Sequence, residues 1–175
     1  FGIKGDFTTA PNISRLFSEM IAIWTIAYWQ NLGSPKKFNL IELGAGNGEM
    51  MKVLIESFRK FPSFQKSCNI IIYEKSPSLI KIQRAIIKNK KIKWIKNLKR
   101  IDHFPSIFLA NEFFDAIPIK QYFKKKNIWF EKYVDLFNIK NASFISKKID
   151  IKKIEKKLGF KIKYNQKFFE YSPLG

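Results

Sequence analysis

Cysteine and histidine each occur once in the 175 residues, as Cys68 and His103. A single thiol excludes a disulfide framework and a cysteine-based metal site. His103 lies in the loop-like stretch IDHFPS, so both residues read as packing or loop positions rather than a nucleophilic pair. Arginine is scarce as well: only Arg15, Arg59, Arg84 and Arg100 stand among the 33 basic residues. Long apolar runs are missing. The longest apolar patch, Met20 to Trp29 (MIAIWTIAYW), is too short to span a bilayer and contains Thr25, so a buried helix is expected there. No basic-then-apolar export segment opens the chain, and Phe1 is not an initiator methionine. The expectation is a piece of a longer protein.

Apolar residues make up 46% of the chain, enough for a folded core. The net charge of +19 is uneven: residues 1–88 carry 12 basic and 6 acidic residues, residues 89–175 carry 21 and 8. Such a field favours anionic partners. Against a nucleic-acid surface stands the choice of lysine, a point charge, where base and phosphate readers favour the bidentate arginine fork. Lys, Ile, Asn and Phe share AT-rich codons, and the lysines read as solvated faces.

The stretch NLIELGAGNGEMMKVL organises the fold. An apolar strand, Phe38 to Leu43, carries an acid at Glu42, and Gly44, Gly46 and Gly48 follow at every second position before a helix from Glu49 to about Lys60. Before it, FGIKGDFTTAP reads as a loop. A helix is expected from about Asn12 to Leu32, with Ile13, Leu16, Phe17, Met20, Ile23, Trp24 and Ala27 on its inward face. After it come a strand ending at Glu74, a helix capped by Ser76 with Pro77 at its first position and Leu79, Ile82, Ile86 and Ile87 packing inward, a short strand KIKWI, and a fourth strand ending near Ala110. This alternation predicts an α/β fold, a Rossmann-like doubly wound parallel sheet over residues 1–117. From 118 to 175 the pattern changes to aromatic, alternating segments, an antiparallel meander turning at Lys126-Asn127, then a basic helix from about Ile151 to Leu158.

Three features fall on the carboxyl edge of the sheet, where open α/β folds bind ligands. They are the glycine turn, Glu74, and NEFFD (Asn111 to Asp115). The glycines either make a tight turn or keep a surface open to a nucleoside-like ligand; the helix N-terminus behind them offers N–H groups to a carboxylate. A carboxylate at Glu74 can accept both hydrogen bonds of a ribose diol. The G-x-G-x-G spacing departs from the dinucleotide fingerprint and, with Glu42 before it, resembles the first motif of class I S-adenosylmethionine (SAM) methyltransferases.

GDFTTAPNISRLFSEMIAIW, IELGAGNGEMM, YEKSPSLIKIQ, NEFFDAIPIKQY and EYSP occur in the order in which the MidA-like methyltransferases carry them. That family comprises mitochondrial complex I assembly methyltransferases and bacterial relatives. The resemblance implies a SAM-dependent enzyme that methylates a protein arginine, with a respiratory complex I subunit as the model substrate. It implies that Glu42, Gly44, Ala45, Gly46 and Gly48 hold the methionine portion, Glu74 the ribose, and Asn97 and Leu98 the adenine. Asn111 and Glu112 would stand near the reacting methyl, with Asp115 as a further carboxylate and Gly5 and Asp6 in a lid over the cofactor or a brace of the first helix. Phe113 and Phe114 either line the site or fill core. Asn12 departs from the Glu usual after TAP, and Ala45 with Asn47-Gly48-Glu49 replaces the common GPGRGT. No metal is implied, nor a membrane span. Rival readings are an amino-group nucleic-acid methyltransferase, against which the absence of N-P-P-[YF] counts, and a non-catalytic module gripping an acidic partner. The expected location is a bacterial cytoplasm, with the mitochondrial matrix as the alternative.

Overall fold

The computed structural model describes residues 10–136 and 142–173. The chain forms two compact units, Phe1–Phe114 and Asp115–Gly175. Gly5 and Asp6 lie outside the described residues.

The first unit is built on a parallel sheet of β1 (Phe38–Leu43), β2 (Cys68–Tyr73), β3 (Lys93–Ile95) and β4 (Ser106–Leu109), in the order β3-β2-β1-β4. The order turns back at β1, so β1 has neighbours on both sides: Leu43 aligns with Tyr73 of β2 and Glu42 with Leu109 of β4. Every residue of β1 is buried, as a strand covered on both faces requires. Its Phe38, Leu40 and Ile41 are fully enclosed.

The helices are α1 (Ala10–Ile13), α2 (Arg15–Asn31), α3 (Glu49–Phe58), α4 (Pro62–Ser67) and α5 (Pro77–Ile87). The single helix expected from Asn12 to Leu32 is broken at Ser14, whose extended backbone (φ −139°, ψ 118°) starts α2. Ser76 caps α5 by accepting from the Leu79 N–H at 3.4 Å, with Pro77 beside it. The short α4 was not legible in the sequence. It exists to insert Phe64, 1% exposed, among the rings of Phe58, Phe38 and Trp29 at centroid distances of 4.6, 5.5 and 5.4 Å.

The inward face of α2 is not the expected one. Ser18, Ala22, Thr25, Ile26 and Trp29 are buried, whereas Ile13, Leu16, Met20, Ile23 and Trp24 are exposed and Phe17 is only partly covered. The helix is apolar nearly all round, so the apolar spacing alone picked a face that does not pack. Packing against α3 selects the one with small Ala22 and Ser18, and Arg15 closes the pair through Glu56 at 2.8 Å. Similarly on α5, Ile82 is exposed and Gln83 fully buried.

The second unit is an antiparallel sheet of β5 (Lys120–Lys125), β6 (Ile128–Asp135), β7 (Ser143–Lys148) and β8 (Phe168–Tyr171), in the order β7-β6-β5-β8. Lys126 and Asn127 both have left-handed backbones (φ 47° and 61°), the two-residue hairpin geometry that suits the twist of β5 and β6. α6 (Ile151–Leu158) is capped by Asp150, which accepts from the Lys152 N–H. β8, hidden in QKFFEYSP, pairs with β5 and closes the sheet. Glu131, 6% exposed, is satisfied by Lys120 at 2.6 Å.

Candidate functional site

β1, β2 and β4 bring Glu42, the glycine turn, Glu74 and Asn111-Glu112 to the carboxyl edge of the first unit's sheet. Glu42 stands one residue before the end of its strand, 3% exposed, and among the described residues its Oε2 has no hydrogen-bond partner. Burial pushes the carboxyl up to about 8. A buried carboxyl oxygen without a partner is costly, and a cationic group placed against it would relieve that cost.

The three glycines serve three different ends. At Gly44 (φ +67°) an added Cβ would lie 2.6 Å from Cδ2 of Phe113, so the absent side chain is replaced by a protein ring. At Gly48 (φ +89°), the start of α3, a Cβ would meet Ile87 at 3.1 Å and Gln83 at 3.3 Å, so glycine there lets α5 approach. Only Gly46 has nothing within 4 Å of its Cβ position. The open part of the turn is therefore centred on Gly46. The helix N-terminus is also less free than expected: the Gly48 N–H donates to the Ala45 carbonyl at 2.7 Å and the Glu49 N–H to Asn47 Oδ1 at 3.1 Å. Ala45 itself is buried. Asn12 reaches this turn, its Oδ1 accepting from Asn47 Nδ2 at 3.0 Å.

Glu74, 8% exposed, is held at both oxygens. Oε1 accepts from the Ser76 N–H at 2.9 Å and Oε2 from Gln83 Nε2 at 3.2 Å. The same Nε2 donates to the Gly46 carbonyl at 2.9 Å. Gln83 was missed in the sequence. Its signal was present: it stands four residues after Leu79 and four before Ile87, a polar residue on the apolar stripe of a helix.

Asn111 and Glu112 follow β4, with Glu112 exposed and in the left-handed region (φ 46°). Such strained backbone at a non-glycine residue is concentrated at functional sites. Phe113 packs edge-on to Tyr73 at 6.2 Å and against Phe114 at 5.3 Å. Phe113 thus covers the turn, while Phe114 is exposed. Asn97 follows β3 and caps a short 3-10 turn by accepting from the Lys99 N–H, and Leu98 is exposed. Asp115 is exposed and opens the second unit. Cys68 and His103 stand at the amino ends of β2 and β4, and burial pushes the Cys68 thiol up to about 12.

Residues 20–173 match the family described as "Putative S-adenosyl-L-methionine-dependent methyltransferase". The chain belongs to that family. Among curated relatives it is 32% identical over 159 residues to the mitochondrial protein arginine methyltransferase NDUFAF7 of Xenopus laevis, covering 77% of this chain and 36% of that one. To the Caenorhabditis elegans homolog it is 33% identical over 168 residues, covering 85% and 39%. Among solved structures, a Burkholderia thailandensis protein bound to S-adenosyl-homocysteine superposes with a TM-score of 0.65 at 22% identity, covering 89% of this chain and 40% of that one. This likeness establishes the fold. The chain spans well under half the length of the relatives it matches.

Proposed function

We propose that this chain carries the cofactor-binding part of a SAM-dependent methyltransferase that modifies an arginine of a protein. The observation that carries this reading is Glu42 Oε2, buried without a partner among the described residues, on the strand that leads into the turn holding the open Gly46. The donor set fits the cofactor. Glu42 meets its ammonium, Gly46 leaves room for its methionine portion with Gly44, Ala45 and Gly48 shaping the turn, and Glu74 accepts the ribose diol. Asn97 and Leu98 border the adenine. Bound there, SAM supplies an electrophilic methyl group on a sulfonium.

The remaining work falls to the loop after β4. Glu112 accepts hydrogen bonds from a guanidinium and draws its positive charge away from the attacking nitrogen, with Asn111 as a further acceptor. This is positioning and water exclusion more than strong-base chemistry. The relatives' names support arginine as the target. A respiratory complex I subunit is the narrower substrate implied by the family resemblance. Those relatives are mitochondrial, which supports the matrix alternative for location.

Calorimetric titration with S-adenosylhomocysteine, beside Glu74→Ala, tests the cofactor. Micromolar binding that the variant loses is expected; a folded protein that takes up no ligand would overturn the reading. Methyl transfer to an arginine-containing protein substrate and not to RNA tests the acceptor; the reverse result would replace arginine by a nucleic-acid amino group.

A further inference from the structure

Gln83 is fully buried at the centre of the first unit, and its amide joins three separate segments. Trp94 of β3 donates from Nε1 to Gln83 Oε1 at 2.9 Å. Nε2 then donates to the Gly46 carbonyl at 2.9 Å and to Glu74 Oε2 at 3.2 Å. The orientation of the amide follows from the partners. An indole N–H can only donate, so the oxygen must face Trp94, and the two amide hydrogens must face the carbonyl and the carboxylate, which only accept. Trp94 is fixed in turn by Arg84, whose guanidinium lies 4.9 Å from its ring centroid.

Among the described residues Glu74 has no cation as a hydrogen-bond partner; the backbone N–H of Ser76 and the amide of Gln83 hold it. One oxygen is tied to the chain that immediately follows, the other to α5. Among the described residues, the only side chain that sets the rotation of the carboxylate is therefore Gln83. The same side chain holds the carbonyl of Gly46, the open position of the glycine turn.

We infer that Gln83 is a positioning residue for this site: it holds the Glu74 carboxylate and the Gly46 carbonyl in one frame, so that selection for the ribose hydroxyls depends on a residue that does not touch the ligand. This rests on the cofactor reading given above.

The test is a thermodynamic cycle. Gln83→Met keeps the length of the side chain and removes all three hydrogen bonds. Trp94→Phe removes only the donor that orients the amide. Binding of S-adenosylhomocysteine and of its 3′-deoxyribose analogue is measured by calorimetry on the wild-type protein and both variants, with thermal melts to establish folding. Gln83→Met is expected to weaken S-adenosylhomocysteine about tenfold or more, the loss of a hydrogen bond to a charged group, and the deoxy analogue much less. A purely structural role predicts equal losses for both ligands, and that result overturns the inference. So does S-adenosylhomocysteine binding within about twofold of wild type. If Gln83→Met does not fold, Trp94→Phe decides by the same comparison, a smaller loss confined to the natural ribose being the supporting result. A wild-type protein that binds neither ligand overturns the cofactor reading together with this inference, whereas wild-type binding with equal losses overturns this inference alone.

Discussion

Gly44 and Phe113 occupy one another's space: a β-carbon on the glycine would stand 2.6 Å from Cδ2 of the ring. The first glycine of the turn is thus matched to the loop after β4 rather than to a ligand, and it couples the two halves of the candidate site. The residue before the ring, Glu112, is left-handed at φ 46°.

Gly44→Ala should therefore destabilise by about 2–4 kcal/mol, from the strained backbone and the displaced ring together. Adding Phe113→Ala removes the clash, so the double variant should be more stable than the sum of the two single losses by about 1 kcal/mol or more. Chemical denaturation of the four proteins measures this, and strict additivity would show that the two residues do not meet.

Glu42 sets a pH dependence. Its carboxyl sits at about 8 in the folded protein, above the ordinary 4.5. Between those values the folded state keeps a proton that the unfolded chain has released, so this residue's contribution to stability falls as pH rises from about 4.5 to 8 and is lowest above 8. Glu42→Gln should remove that loss, giving a melting-temperature advantage that grows from pH 5 to pH 9 and corresponds to a few kcal/mol at the top, on the order expected for a shift of this kind. The same variant should lose S-adenosylhomocysteine binding. In the wild type at about pH 7, binding should release close to one proton as Glu42 ionises beside the ligand's ammonium, read from titrations in buffers of different ionisation heat. Parallel melting curves for the two proteins across pH would refute the assignment.

The exposed face of α2 makes a separate prediction. Leu16→Glu and Met20→Glu, on residues 63% and 61% exposed, should change the stability of this chain by no more than about 0.5 kcal/mol, while Ala22→Glu, at a fully buried position, should prevent folding. Circular dichroism melts separate this from the opposite face pattern, which would reverse the ranking.

In the second unit, Lys126→Gly should stabilise by about 0.5–1 kcal/mol, because the native φ of 47° strains lysine and not glycine. A loss of stability on denaturation would mean that the side chain contributes more than the backbone strain costs.

Much of this protein was determined locally and so could be read in the sequence. The alternation of strands and helices, the bounds of β1, the cap at Ser76, the hairpin at Lys126-Asn127 and the stop of α6 at Gly159 each depend on a few neighbouring residues. The carboxyl-edge meeting of Glu42, Glu74 and Asn111-Glu112 followed from parallel topology, which puts every strand's end on one side. Other features depend on what lies across the core. On α2 the sequence pointed to the face with Leu16 and Met20, whereas the packed helix, which lies against α3, buries Ser18 and Ala22. Three similar glycines acquired three different neighbours, a ring, open space and a helix, because those neighbours come from Phe113 and α5. Gln83 went unread in the sequence because a buried amide has a purpose only once Trp94, Gly46 and Glu74 stand around it.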